Sequence, residues 1–369
     1  MPKVSETTLE VDLNALDHNY RQITSGLKKG TKVLGVVKAG GYGSNAVEIA
    51  KELEALGVDY LAVAYVGEGI ELRDAGIKTP ILVLHPQPVN FESLIEQCLE
   101  PAIYSRRILK AFIAVAEQNE QKEYPVHLKF NTGLNRLGFR ENDCEWIVDQ
   151  CTNTSAIRIK SLFSHLAASD DPEEKEFTLK QINTFGAISK DMSSRLGYTP
   201  MLHQSNTSAI LNYPEAEFDM VRTGIGLYGY GNEARYDSAL IPVHTLKSVI
   251  SQIHKIEPGE TVGYNRGHMA AGNEVTATIP IGHADGIPRA LGKGKGHVLI
   301  KGEKAPIIGN VCMDMLMVNI TGIDCKEGDE VVIFGSEQPA SELAESANTI
   351  SYELLTALSH RIKRVFYRK

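Results

Sequence analysis

Cysteine, tryptophan and positive charge are all scarce in this sequence. The five cysteines, Cys98, Cys144, Cys151, Cys312 and Cys325, are odd in number and lack the short paired spacings of a zinc site or a disulfide framework. A metal centre is therefore not expected, and a reducing, cytoplasmic setting is. Lys and Arg total 38 against 46 Asp and Glu, a net charge of -8, which removes the basic excess a nucleic-acid-tracking surface needs. The basic end Arg361-Ile362-Lys363-Arg364 is broken by an apolar residue and reads as one polar strand face. No run approaches the roughly 20 apolar residues of a membrane span. Residues Met1 to Glu6 lead directly into strand-like alternation, without the apolar core of a signal segment. What remains is a 369-residue chain, 43% hydrophobic, with material for two sizeable cores.

From residue 30 short apolar runs alternate with amphipathic stretches. The runs are Lys32 to Val37, Tyr60 to Ala64, Ile81 to Leu84, Pro101 to Ile103, Val126 to Phe130, Ile157 to Phe163, Pro200 to His203 and Phe218 to Val221. Ahead of them Leu16, Tyr20, Ile23 and Leu27 share one helical face behind Asp12 as its cap. Eight strands with intervening helices in about 230 residues suit an α/β fold of the (β/α)8 barrel type, given the ~250 residues usual for it. After Gly231 the texture changes to short strands punctuated by Gly and Pro, such as Glu274 to Ile279, Val298 to Lys301 and Glu330 to Phe334. That predicts a barrel over residues 1–235 and a mainly β domain over 236–369. The opening alternation Thr8 to Val11 can pair with either.

Barrel enzymes carry their chemistry at the C-terminal ends of the strands. Here those places hold Lys38, Arg136, His165, Ser205-Asn206-Thr207, and Arg222 with Gly224. Lys38 follows the apolar run Val33 to Val37, where confinement lowers a lysine's pKa and lets it condense with a carbonyl. Gly40, Gly41 and Gly43 behind it permit close backbone approach. Asn206-Thr207-Ser208 and Thr223-Gly224-Ile225-Gly226 occupy the loops after strands seven and eight, the usual barrel phosphate site.

At these positions the sequence resembles the alanine racemase family, over essentially the whole chain. The resemblance lies in Val37 to Gly43, Leu128 to Gly138, Arg222 to Gly229, Val262-Gly263-Tyr264 and Gly309 to Asp314. It implies pyridoxal phosphate on Lys38 and a head-to-tail homodimer in which Tyr264, Met313 and Asp314 reach the partner's site. Lys38 and Tyr264 would be the two catalytic bases, with His165 linking Tyr264 to Arg222, and Arg222 facing the pyridine nitrogen. Arg136 would serve the phenolic oxygen and the substrate carboxylate. Tyr42, Asn206, Thr207, Gly224, Ile225 and Tyr352 would complete the cofactor site, Tyr352 being open to a second reading as domain core. Lys129 is either carbamylated beside Arg136 or an ordinary strand-end lysine. The implied activity is interconversion of L- and D-alanine, supplying D-alanine for peptidoglycan.

Four places depart from the family pattern. Gly40 and Ser44 stand where an acidic residue and a histidine are common, Asn131 replaces a usual aspartate, and Gly267-His268 replaces a threonine-aromatic pair. These leave serine or broad-spectrum racemisation as the nearest alternative. A barrel decarboxylase would set an acid, not Arg222, at the pyridine nitrogen, and a cofactor carrier would lack residues beyond about 236.

Overall fold

In the computed structural model, which describes residues 5–231 and 233–368, the eight expected runs form a closed parallel barrel. The chain's first strand is β1 (Thr8–Asp12), and the barrel strands are β2 (Lys32–Val36), β3 (Tyr60–Val63), β4 (Ile81–Val83), β5 (Glu100–Ile103), β6 (Tyr124–Lys129), β7 (Ile157–Phe163), β8 (Met201–His203) and β9 (Met220–Thr223). The barrel closes where β9 pairs with β2, Lys32 opposite Met220 and Gly35 opposite Thr223. Side chains alternate in and out along a strand. Leu34, Tyr60, Ala62, Leu82, Ala102, Phe163 and Met220 accordingly pack against each other inside the barrel. Continuing each inward row past the strand end predicts the residues of the mouth. Lys38 extends Leu34 and Val36, His165 extends Ser161 and Phe163, and Arg222 extends Met220.

The second domain contains β10 (His244–Val249), β11 (Gln252–Ile256), β12 (Thr261–Val262), β13 (His268–Met269), β14 (Glu274–Ile279), β15 (His297–Ile300), β16 (Glu303–Ile308), β17 (Leu316–Asn319), β18 (Glu330–Phe334) and β19 (Lys363–Tyr367). All but β12 and β13 join one nine-stranded sheet, ordered β11-β14-β17-β16-β15-β18-β10-β1-β19. The open question about Thr8 to Val11 is thereby answered. β1 lies between β10 and β19, so the chain starts in the β domain and only then enters the barrel. Asp12 makes the transition by ending β1 and accepting from the N–H groups of Asn14 and Ala15 to cap helix Leu13–Thr24.

The basic end is not simply a polar strand face. Arg361 precedes β19 and pairs with Asp285 at 2.6 Å and with Asp314 at 2.7 Å. Arg364 donates to the carbonyls of Gly43, Leu358, Ser359 and Ile362. Among the described residues, no helix is long and apolar enough to cross a membrane.

Candidate active site

A cavity of about 620 Å³ opens at the C-terminal mouth of the barrel. Of the residues singled out in the sequence, Lys38, Tyr42, Lys129, Arg136, His165, Asn206, Thr207, Arg222, Gly224, Ile225 and Tyr352 all line it. Tyr352 lies in the first turn of helix Ser351–Thr356, where it lines the cavity and also packs against the hydrophobic core. Tyr264, Met313 and Asp314 do not line this cavity. They surround a separate surface cleft with Gly263, Cys312, Met315 and Met317. Tyr264 is 72% and Met313 59% exposed there.

Lys38 opens a short left-handed turn, with φ of +53° at Ala39 and +63° at Gly40 and Gly41. Glycine enters that region without steric cost, and Ala39 and Tyr42 hold φ of +53° in the same turn. Gly43 closes the turn at φ +83°, and a Cβ there would lie 2.0 Å from the Leu355 carbonyl oxygen. Glu68 fastens the turn by accepting from Ala39 N at 2.6 Å while capping its own helix through Ala64 N and Tyr65 N. Sequence reasoning missed Glu68, although its place three residues after a strand-end tyrosine is a capping signature. Burial, then the positive charge of Arg136, lowers the Lys38 pKa.

The other departures are absorbed locally. Ser44 pairs with buried His244 of β10 at 2.5 Å. Asn131 Oδ1 accepts from the N–H groups of Gly133 and Asn135, and its Nδ2 donates to Asn135 Oδ1. An aspartate could not make that last bond. His268 lies 2.7 Å from Glu274 Oε2.

Opposite Lys38, the end of β9 comes close to Tyr42. A Cβ on Gly224 would sit 2.4 Å from the Tyr42 hydroxyl, so only glycine lets the two meet. Thr207 Oγ1 accepts from Gly224 N at 3.3 Å and Gly226 N at 3.4 Å. Asn206 caps helix Thr207–Asn212 through Ala209 N. Tyr42 packs on Tyr228 with 4.6 Å between ring centroids and on Tyr352 at 6.1 Å.

Arg222 is buried, and among the described residues no carboxylate contacts it. Its Nη2 donates to the Ser164 carbonyl at 2.8 Å and the Gln204 carbonyl at 2.9 Å and lies 3.2 Å from His165 Nδ1, while Nη1 lies 2.9 Å from His203 Nδ1. Burial pushes its pKa down to about 9, so it stays protonated at neutral pH. Burial, then Arg222, holds His165 well below the usual histidine range. Its ring is neutral, and since a guanidinium only donates, His165 Nδ1 accepts and Nε2 carries the proton. Leu84, His85, Leu137 and Phe163 complete the wall. His85 is the end of β4's apolar run, a position that carried no motif.

Lys129 is crowded by burial first, then by Arg136, Arg222 and Lys38, and its pKa falls to about 8. The unfolded chain holds that proton up to about 10.5 and so binds more protons than the fold between the two values. The destabilisation is complete below about 8 and is relieved as pH rises. Denaturant midpoints measured from about pH 8 to 9.5 should therefore climb more steeply for the native chain than for Lys129→Met. Parallel curves would show that Lys129 keeps an ordinary pKa.

Comparison with known proteins gives the family. The family model for the alanine racemase N-terminal domain matches residues 11–232, and that for the C-terminal domain matches residues 243–366. Alanine racemase of Sorangium cellulosum is 36% identical over 98% of this chain and 99% of its own length. The alanine racemase of Clostridium difficile 630 superposes with a TM-score of 0.93 at 37% identity, covering 100% of this chain and 97% of its own. That of Bartonella henselae, described with covalently bound pyridoxal phosphate, gives 0.89 at 29% identity, covering 99% and 100%. Two domain models, near-complete relatives and a shared two-domain fold place this chain in the alanine racemase family of amino-acid isomerases.

Proposed function

We propose that this chain interconverts L- and D-alanine with pyridoxal phosphate on Lys38, using Lys38 and Tyr264 of the partner subunit as bases on opposite faces of the substrate. The single observation that carries the cofactor assignment is the convergence of the depressed Lys38 amine with Tyr42, Thr207 and the glycine turn at Gly224 around one cavity. A phosphorylated aldehyde fits this donor set. The lysine can take the aldehyde, and Tyr42, Thr207, Tyr352 and the backbone of Gly224 and Ile225, supported by Asn206, can hold the phosphate. When bound, the cofactor ring accepts the electron pair left behind as the α-proton leaves.

The chain's own residues then set the outcome. Lys38 accepts or returns a proton on one face. A free tyrosine has a pKa near 10, so the tyrosine of the other face needs its phenolate stabilised, and the Nε2–H of His165, backed by Arg222 at Nδ1, is assigned the task of donating to it. Arg222 cannot surrender its proton near neutrality, so at the ring nitrogen of a bound cofactor it would donate a hydrogen bond and supply no proton. Charge is then drawn less into the ring, which favours returning the proton over losing carboxylate or transferring the amine. Arg136 offers a planar fork to the phenolic oxygen and the substrate carboxylate. Met313 and Asp314 of the partner subunit border the substrate.

Dimerisation explains why Tyr264 and Met313 are exposed on one chain and absent from its own cavity. We place the division between the domains near residue 235. We assign the product to peptidoglycan synthesis in the cytoplasm. The lowered Lys129 pKa supplies the neutral amine that carbamate formation requires, giving Arg136 an anionic partner. Crystals grown with bicarbonate should show carbamate density at the Lys129 tip, and a bare amine at full occupancy would remove that assignment.

Lys38→Ala should abolish the visible absorbance of the lysine-bound cofactor and its trapping by borohydride. Trapping that persists on another lysine would move the site. The shared site is tested by mixing Lys38→Ala chains with Tyr264→Phe chains. Random exchange makes half the dimers mixed, each with one intact site, so activity should return to about a quarter of wild type. If tagged subunits exchange and activity stays at the parental level, each site is built within one chain.

A further inference from the structure

Behind Arg222 the barrel interior holds a chain of polar side chains that touches neither the cavity's lysine nor its phosphate cradle. Arg222 Nη1 lies 2.9 Å from His203 Nδ1, and His203 Nε2 lies 3.0 Å from Ser161 Oγ. Ser161 Oγ lies 2.6 Å from His127 Nδ1, and His127 Nε2 lies 2.6 Å from Glu100 Oε2. His127, Ser161 and His203 are each 0% exposed. The pairing of β6 with β7 skips Lys160, so that Val126 faces Ile159 but His127 faces Ser161. That irregularity puts the histidine level with the serine. Tyr60 packs edge-on against His127 and also bonds to Glu100.

The hydrogens can be assigned from one end. A guanidinium has no acceptor, so His203 Nδ1 must accept and its proton must sit on Nε2. That N–H donates to Ser161 Oγ, the serine hydroxyl donates to His127 Nδ1, and His127 then carries its proton on Nε2 and donates to Glu100. An imidazolium at His127 would aim Nδ1–H at Ser161 and leave the hydroxyl proton without an acceptor among the described residues. In a site this closed that loss is costly. The contact between His127 and Glu100 is thus a neutral imidazole donating to a carboxylate, although its length alone would suit an ion pair. Burial, then Arg222, holds His203 well below the usual histidine range, consistent with a neutral ring. A serine, a histidine and a carboxylate in line also resemble a nucleophile with its base. Ser161 is sealed from solvent and does not line the cavity, so the arrangement has no substrate to attack.

Every donor in this chain points from Arg222 toward Glu100, so the group dipoles add, and the lone pair presented to Arg222 is their negative end. We propose that Glu100 is a positioning residue for the cofactor site, fixing the tautomers of His127 and His203 through Ser161 and thereby holding Arg222 as a donor toward the cavity. The inference rests on the role given above to Arg222 at the ring nitrogen.

Nitrogen-15 spectra of the purified full-length protein, with histidine labelled and His127→Gln and His203→Gln used for assignment, test it directly. Near pH 7 both rings should be neutral with the proton on Nε2. An imidazolium at His127, or Nδ1–H at His203, would overturn the proposal without reference to any variant's folding. Glu100→Gln keeps a carbonyl acceptor and should keep both tautomers and turnover within about twofold. Glu100→Leu removes the acceptor; His127 and His203 should then show mixed tautomers, with kcat falling about tenfold and KM little changed. Wild-type tautomers and kcat in a Glu100→Leu protein of unchanged Tm would equally overturn it. If that variant does not fold, Ser161→Ala breaks the same chain at its middle and is read in the same way. A protein with the stated tautomers but no racemase activity would remove the functional reading and leave the hydrogen-bond chain intact. An active racemase with an imidazolium at His127 would do the reverse.

Discussion

Burying a cation away from water is expensive unless acceptors surround it, and Arg222 is buried with no carboxylate in contact among the described residues. Its acceptors are the Ser164 and Gln204 carbonyls and the ring nitrogens of His165 and His203. Ser164 and His165 follow β7, His203 ends β8 and Gln204 follows it. One side chain from β9 therefore ties the ends of two neighbouring strands, and the geometry beyond them follows. Asn206 and Thr207 start their helix directly after this anchor, and Thr207 accepts from the glycine turn that follows Arg222.

The lysine turn depends on the second domain in a comparable way. Gly43 fits only because nothing projects toward the Leu355 carbonyl, and Arg364 of β19 donates to the Gly43 carbonyl from Nε at 3.2 Å and from Nη2 at 3.0 Å. Ser44 bonds to His244 of β10. The β domain of the same chain thus grips the turn that begins at Lys38, while helix Ser351–Thr356 brings Tyr352 to the cavity. The two strands that supply these contacts, β10 and β19, flank β1 in the sheet. Substitutions in the sheet can therefore reach the cofactor pocket without touching it.

Chemistry and geometry agree on why the family departures are tolerated. Gly40 meets a left-handed φ at no steric cost, Asn131 uses both ends of its amide, and Ser44 finds a histidine from another strand. None of the three removes a group from the cavity wall.

The order of the barrel strands was legible in the sequence because each is a short apolar run bounded by turns, and a strand's side-chain alternation is a local property. That alternation, with the rule that barrels work at their strand ends, was enough to reach Lys38, His165 and Arg222. The glycine turns were legible too, since glycine is required where backbones meet. Three things were not. The place of β1 depends on pairing with residues about 235 and 355 positions away, which no local pattern encodes. Glu68 and His85 reach the site through the packing of separate βα units. The line from Arg222 to Glu100 joins five residues on five strands and needs an irregular register between β6 and β7, so only the closed barrel could bring those polar groups into one hydrogen-bonded row. Sequence determined which chemistries the strand ends offer. Tertiary structure decided which of them meet, because contact between distant strands is set by register and closure.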